Sequence, residues 1–156
     1  EPLAPGGDKF IDGATPAGAS ALAEALLTAS ALSEPDRAAR YADLAASTLD
    51  RAAVILVRAA RSAGHWLTVA EAAARGPMED AIVGDPESVD TATLLIAART
   101  SAPGGAVIVA GLPDSTPLLA DRTLVDGQPA AYVCRNFVCD RPVTTVTALI
   151  AALSDL

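Results

Sequence analysis

The chain has 156 residues, of which 51% are hydrophobic and only 3% aromatic, so its core must be built mainly from alanine, valine, leucine and isoleucine. Its net charge is −8, and the absence of any cluster of basic residues argues against binding to nucleic acid. A membrane-spanning helix needs about 20 consecutive apolar residues, and the closest candidate, 16–32, contains Glu24. No signal peptide is recognisable, and we expect a cytoplasmic protein.

The first half of the chain predicts helices that follow an irregular lead-in over residues 1–14, which are rich in proline, glycine and aspartate. The first helix is apolar on nearly every side, with Thr15 as its expected cap, and it forms a helical hairpin with the second. Gly76 and Pro77 end the helical segment. The helices are predicted at 16–32, from Ser33 to about Thr48, at 50–62 and at 66–75.

The second half contains three short apolar runs that do not alternate with polar residues, which is typical of strands covered on both faces. The runs lie around 81–84, 106–110 and 130–134, and helices are predicted at 88–99 and 144–153. The sequence therefore predicts an α/β fold with an all-α amino-terminal half, in which helical hairpins precede a small, mainly three-stranded parallel sheet with flanking helices. The expected domains are 1–76 and 77–156.

Cys134 and Cys139 are the only two cysteines. They allow three interpretations: structural thiols, a disulfide or redox-sensitive pair, or part of a functional site in a larger assembly. In an extended strand they would lie roughly 16 Å apart, at about 3.3 Å per residue, whereas a disulfide needs Cα atoms within about 7 Å. A bridge would require a turn in 135–138, which Asn136 permits. The spacing therefore favours reduced thiols.

Two aspartates, Asp85 and Asp114, follow the first two predicted strands. Ligands of open α/β sheets gather at the carboxyl ends of strands, so both are candidate binding residues. Neither stretch is a dinucleotide fingerprint or a phosphate-binding loop, and a helix cap at Asp85 or a turn at Asp114 is the alternative.

The segment 12–20, "DGATPAGAS", gives two further candidate binding residues, Asp12 and Ser20. Its glycines and small polar groups could line a cavity at the mouth of the first helix, or they could simply allow capping and close backbone approach. Two cysteines and one distant histidine, His65, are too few for a structural zinc site. No metal and no cofactor are expected.

Three stretches together resemble one protein family: 14–27 "ATPAGASALAEALL", 75–86 "RGPMEDAIVGDP" and 126–144 "DGQPAAYVCRNFVCDRPVT". They look like the carboxyl-terminal part of the large thioredoxin-domain-containing proteins, whose animal members are called spermatogenesis-associated. The resemblance implies a thioredoxin-like domain, then a toroid of helical hairpins like that of sugar epimerases and six-hairpin glycosidases, then an α/β tail. Where that family often has P-S-G-N-S, this chain has alanine in place of the asparagine at position 19.

On this resemblance, residues 15–75 are similar to the closing hairpins of the toroid and 77–156 to the tail. We therefore expect a non-catalytic terminal segment of a larger protein; the alternatives are a thiol-linked redox accessory or a small α/β ligand-binding module. The expected partner is another copy or the remainder of the parent protein, because the helix over 16–32 and the run 54–57 would otherwise leave apolar surface exposed. A small molecule or sugar is a further candidate ligand; neither nucleic acid nor membrane is expected as a partner.

Overall fold

The computed structural model describes residues 10–76, 78–135 and 138–154. Its helices and strands follow the predicted order, except that two predicted helices are one and that the sheet has a fourth strand where three were predicted. Its helices are α1 (Gly18–Leu32), α2 (Pro35–Arg58), α3 (Gly64–Arg75), α4 (Val89–Ser101) and α5 (Val146–Ser154). Its strands are β1 (Met78–Val83), β2 (Val107–Gly111), β3 (Ala130–Arg135) and β4 (Val138–Cys139), and short 3₁₀ turns lie at Ala60–Ser62 and Pro117–Leu119. The predicted α/β class with a helical first half is confirmed.

The helical half is held together by a core of small side chains around one tryptophan. α1 packs along α2, and α3 contacts both of them. The buried residues of this core are Ala23, Ala52, Ala63, Trp66 and Val69. Within the described residues, no helix is both long and apolar enough to span a membrane.

The second and third predicted helices are a single helix, α2, so the predicted break near residues 48–50 is wrong. Neither glycine nor proline lies at that point, and the Thr48 hydroxyl donates to the carbonyl of Leu44 (2.7 Å) within the helix. Asp50 therefore continues α2 and does not begin a new helix. The predicted boundary at Gly76 holds for the helix end, whereas Pro77 lies outside the described residues.

The sheet has the strand order β2-β1-β3-β4. β1 and β2 are parallel, but β3 runs antiparallel to β1, so the expected parallel direction of the third strand is wrong. The segment between β2 and β3 contains only the 3₁₀ turn and no helix that would carry the chain across the sheet. The chain therefore stays at the end of the sheet where β1 and β2 finish, passes the end of β1, and enters β3 on the other side of β1 in the opposite direction.

The two faces of β1 are covered by different elements. Met78 and Ile82 pack with residues of α4 and α5, whereas Ala81 and Val83 pack with Leu118, Leu119 and the end of α1. Side chains alternate along a strand, so Asp80 belongs to the face of α4 and α5, and Glu79 to the face of the 3₁₀ turn. The central strand therefore carries one carboxyl group on each face.

Candidate functional site

Cys134 and Cys139 form a disulfide that links β3 to β4, so the prediction of reduced thiols is wrong. The sulfur atoms are 2.08 Å apart, and the two Cα atoms are 3.9 Å apart. The spacing argument assumed one extended strand, but β4 pairs antiparallel with β3 and places the two cysteines directly opposite each other. Asn136, where the turn was expected, lies outside the described residues.

The two halves of the disulfide differ in their access to solvent. Cys134 is fully buried within β3, whereas Cys139 lies in the exposed strand β4. A thiol in solution can therefore approach Cys139 more readily than Cys134. This asymmetry decides which sulfur would be attacked and which would leave.

Arg122 contacts both sulfur atoms of the disulfide. Its Nη2 lies 3.3 Å from the Sγ of Cys134 and 3.3 Å from the Sγ of Cys139. Its Nη1 donates to the carbonyls of Leu118 and Ala120, the latter at 3.4 Å. These contacts fix a positive charge beside the disulfide.

Tyr132, a residue of β3, contacts the guanidinium group of Arg122 with its ring. The Arg122 carbon Cζ lies 5.9 Å from the centre of the Tyr132 ring, within the range of a cation–π contact. The Tyr132 hydroxyl in turn donates to the carbonyl of Thr123 (2.8 Å) and accepts from its N–H (3.2 Å). The loop that carries Arg122 is thus attached to β3. Sequence reasoning missed Arg122, because an arginine in a loop-rich stretch gives no motif.

Glu79 lies opposite Cys134 in the pairing of β1 with β3. Its side chain is 2% exposed, and its Oε1 atom has no hydrogen-bond partner among the described residues. Burial raises the pKa of Glu79, and the positive charge of Arg122 opposes that rise to a smaller extent. Arg122 thus acts on both the disulfide and a buried carboxyl group. Glu79 gave no signal in the sequence, because it lies within an apolar strand.

Asp80 is the second buried carboxyl group of β1, on the opposite face. It is 0% exposed, and neither of its oxygen atoms has a hydrogen-bond partner among the described residues. Burial raises its pKa to about 7. Arg135 pairs with Met78 and so lies on the same face of the sheet, but it donates to Asp140 (3.0 Å) and to the carbonyl of Ala152 (2.6 Å).

The fold brings the candidate residues Asp12 and Ser20 into hydrogen-bond contact, and Asp12 also binds the backbone of two helices. Asp12 accepts hydrogen bonds from the N–H of Ala17 (2.8 Å), the hydroxyl of Ser20 (2.8 Å) and the N–H of Trp66 (3.0 Å). Burial opposes its charge, but together these hydrogen bonds and one from the backbone of His65 outweigh burial and lower the pKa of Asp12.

Asp12 therefore caps the amino-terminal ends of α1 and α3 at once. The expected cap, Thr15, does not have this role. The residue directly before α1 is Ala17, whose own side chain makes no capping hydrogen bond. A cavity of about 280 Å³ lies beside Asp12 and is lined also by Thr15, Arg61 and His65. A ligand at Asp12 and Ser20 stays a prediction.

Asp85 and Asp114 are exposed, and the side chain of each accepts a hydrogen bond from the backbone of its own loop. Asp85 accepts from the N–H of Glu87 (3.0 Å), while Ser88 is the cap of α4. Asp114 has a φ of 58° and accepts from the N–H of Asp121 (2.9 Å). The turn interpretation of Asp114 fits this geometry, whereas the helix-cap interpretation of Asp85 does not. A ligand at either aspartate stays a prediction.

In the described part of the chain, no group of three or more histidine, cysteine, aspartate or glutamate side chains is placed to hold a metal ion. Compared with protein-family models, with curated proteins and with solved structures, the chain matches none. The resemblance to the thioredoxin-domain-containing family stays a prediction, and the features that bear on function are those around the disulfide.

Proposed function

We propose that this chain carries a thiol–disulfide switch at Cys134 and Cys139, within a segment of a larger cytoplasmic protein. The observation that supports the proposal is the Arg122 guanidinium, which lies 3.3 Å from each sulfur atom. A cation stabilises a thiolate far more than it stabilises an uncharged disulfide, so Arg122 favours reduction. Disulfides of cytoplasmic proteins are usually transient, which makes a redox response the fitting function for this one.

The exchange reaction follows from the different exposure of the two cysteines. The thiolate of a small thiol attacks the exposed Sγ of Cys139, the disulfide bond breaks, and its electron pair leaves on Sγ of Cys134 beside Arg122. A second small thiolate then attacks the sulfur of the bound small thiol and releases Cys139 as a thiolate. Two small thiols become one small disulfide, and the protein gains two electrons and, at equilibrium with water, two protons.

Reduction would remove the covalent link between β3 and β4 without opening the core. β4 consists of two exposed residues, and the adjoining Asp140 still donates its N–H to the carbonyl of Val133 (2.9 Å). The expected consequence is a local change at the sheet edge. Such a change suits a switch, because it alters one surface and leaves the rest of the fold in place.

The position of the redox equilibrium tests this proposal. The protein is equilibrated with glutathione buffers of graded redox poise, free thiols are alkylated, and the reduced fraction is measured by mass spectrometry. We expect a reversible two-electron transition, and we expect Arg122→Gln to need about tenfold more reducing conditions. Arg141→Gln removes the same charge at an exposed position outside the site and is the control. Equal midpoints for the two variants would contradict the proposed role of Arg122.

We also propose that the helical half packs against another copy of the chain or against the remainder of a parent protein. The support for this is exposed apolar surface on the first two helices: Leu22 is 54% exposed, Val54 61% and Val57 83%. In α1 only Ser20 and Ala23 are fully buried. Val54 and Val57 lie three positions apart on one face of α2, and contiguous apolar surface of this kind marks interaction sites.

A further inference from the structure

A cleft of about 530 Å³ lies where the helical half meets the sheet. Its walls come from the end of α1, the start of α2 and the 3₁₀ turn Pro117–Leu119. Among the residues that line it are Ser30, Ser33, Glu34, Glu79, Leu118 and Arg122. This volume lies in the range of small-molecule sites, about 300–1,000 Å³.

The polar groups of the cleft favour a cation. Glu79 lines it with a carboxyl group that is 2% exposed and has one oxygen without a hydrogen-bond partner among the described residues. Glu34 adds a second carboxylate at the exposed rim. Arg122 also lines the cleft, but its Nη atoms already donate to two carbonyls and contact two sulfurs. Its charge opposes an ammonium group, so binding of a cation depends on the unpartnered oxygen of Glu79.

The remaining walls favour a short apolar body. They are formed by alanine, proline and leucine side chains: Ala31, Pro35, Ala38, Pro117, Leu118 and Ala120. A buried carboxyl group without a partner costs stability, and an ammonium group placed against it would supply both the missing hydrogen bonds and the opposite charge.

We infer that this cleft binds a small primary amine, whose ammonium group pairs with Glu79 while its short apolar chain lies against Pro35 and Pro117. The inference does not depend on the redox proposal, because the cleft and its carboxyl group are formed with the disulfide intact. It is therefore tested on the oxidised protein, and its failure would leave the switch untouched.

The test uses n-butylammonium chloride as the probe, with n-butanol and sodium butyrate as ligands of similar size and different charge. Binding to the full oxidised chain is followed by calorimetry and by amide chemical shifts, at constant ionic strength and in a buffer without amines. We expect the amine to bind with a dissociation constant on the order of 1 mM, typical of so small a ligand, and to shift the amides of Ser33, Ala38 and Leu118. Butanol and butyrate should bind at least tenfold more weakly.

Glu79→Gln keeps the shape of the side chain and removes its charge, and it should weaken amine binding at least tenfold. Glu87→Gln alters an exposed glutamate on a loop and should leave binding unchanged. Equal binding of amine and butanol to the wild-type chain would overturn the inference even if Glu79→Gln failed to fold. Wild-type amine affinity in a folded Glu79→Gln variant would overturn it as well.

Discussion

The helical half of the molecule is packed around one tryptophan and several alanines, whereas the α/β half is packed around aliphatic side chains and two carboxyl groups. In the helical half the partly buried acceptor next to the core, Asp12, receives hydrogen bonds from two helix ends. In the α/β half Glu79 and Asp80 lie at the centre of the sheet, each with at least one oxygen that lacks a hydrogen-bond partner among the described residues. The first arrangement stabilises a fold, and the second costs stability.

This difference indicates in which half of the molecule chemistry is to be sought. The α/β half contains buried carboxyl groups with raised pKa values, and it contains a disulfide whose sulfur atoms contact an arginine. Such features are more typical of functional sites than of structural cores. Exposed large apolar side chains occur in both halves, for example Val54 and Val57 in α2 and Val89 and Ile96 in α4. The proposed redox switch therefore lies in the α/β half, and the proposed contact surface is the one that α1 and α2 form.

The largest expected effect concerns Asp80. Burial raises its pKa from the ordinary value of 3.8 to about 7 in the folded protein, so the folded state binds an extra proton between these pH values. The free energy of unfolding should thus fall as the pH rises from about 4 to about 7, by an amount on the order of 4 kcal/mol. Urea unfolding at graded pH measures this, with Asp80→Asn as the comparison. The slope should flatten in Asp80→Asn; an unchanged slope would exclude Asp80 as its source.

Asp12 should show the opposite dependence on pH. Its pKa is lowered, so its stabilisation is present above the unfolded-state value and is lost as the pH falls through the lower folded-state value. Asp12→Ala removes the shared cap of α1 and α3 and should lower the free energy of unfolding by about 2–3 kcal/mol at pH 7. Asp36→Ala, in the exposed first turn of α2, should cost about 0.5 kcal/mol. Similar costs for the two variants would show that Asp12 does not join the helices.

Loss of the disulfide should have an intermediate effect. The bridge closes a loop between residues five apart, for which the chain-entropy estimate is about 2 kcal/mol. We expect Cys134→Ser with Cys139→Ser to lower the free energy of unfolding by about that amount while the far-ultraviolet circular dichroism stays the same. Global unfolding of the double variant would mean that the bridge supports the whole fold and is unsuited to act as a switch.

The smallest effect on stability is expected at the exposed valines of α2. Val54→Ser with Val57→Ser should change the free energy of unfolding by no more than about 1 kcal/mol, because both side chains are mostly in solvent. The same change should abolish self-association measured by light scattering at micromolar concentration. If the wild-type chain is already a monomer, then a second copy does not cover this surface, and the remainder of a parent protein becomes the only proposed partner.

Local patterns in the sequence predicted the elements well. The three apolar runs became β1, β2 and β3, because strands covered on both faces need continuous apolar side chains. The direction of β3 and the continuity of α2 were not predicted. The direction depends on a connection that lacks a crossover helix, and the continuity depends on the absence of any breaker near Asp50.

The site was harder to predict than the fold, because tertiary contacts create it. Asp12 reaches the N–H of Trp66, 54 positions along the chain, and Arg122 meets Cys134 only because the loop before β3 folds back over that strand. The two cysteines were recognised as a pair of interest. Their spacing gave the wrong redox state, because the pairing of β4 with β3 cannot be read from a distance along one extended strand.

The most direct test of the redox proposal is to identify which cysteine a small thiol attacks. The native protein is briefly exposed to glutathione, quenched with acid, alkylated with N-ethylmaleimide and cleaved with trypsin, which cuts after Arg135 and so separates the two cysteines. We predict glutathione on Cys139 and N-ethylmaleimide on Cys134. Glutathione on Cys134, or both cysteines alkylated before any thiol is added, would contradict the account.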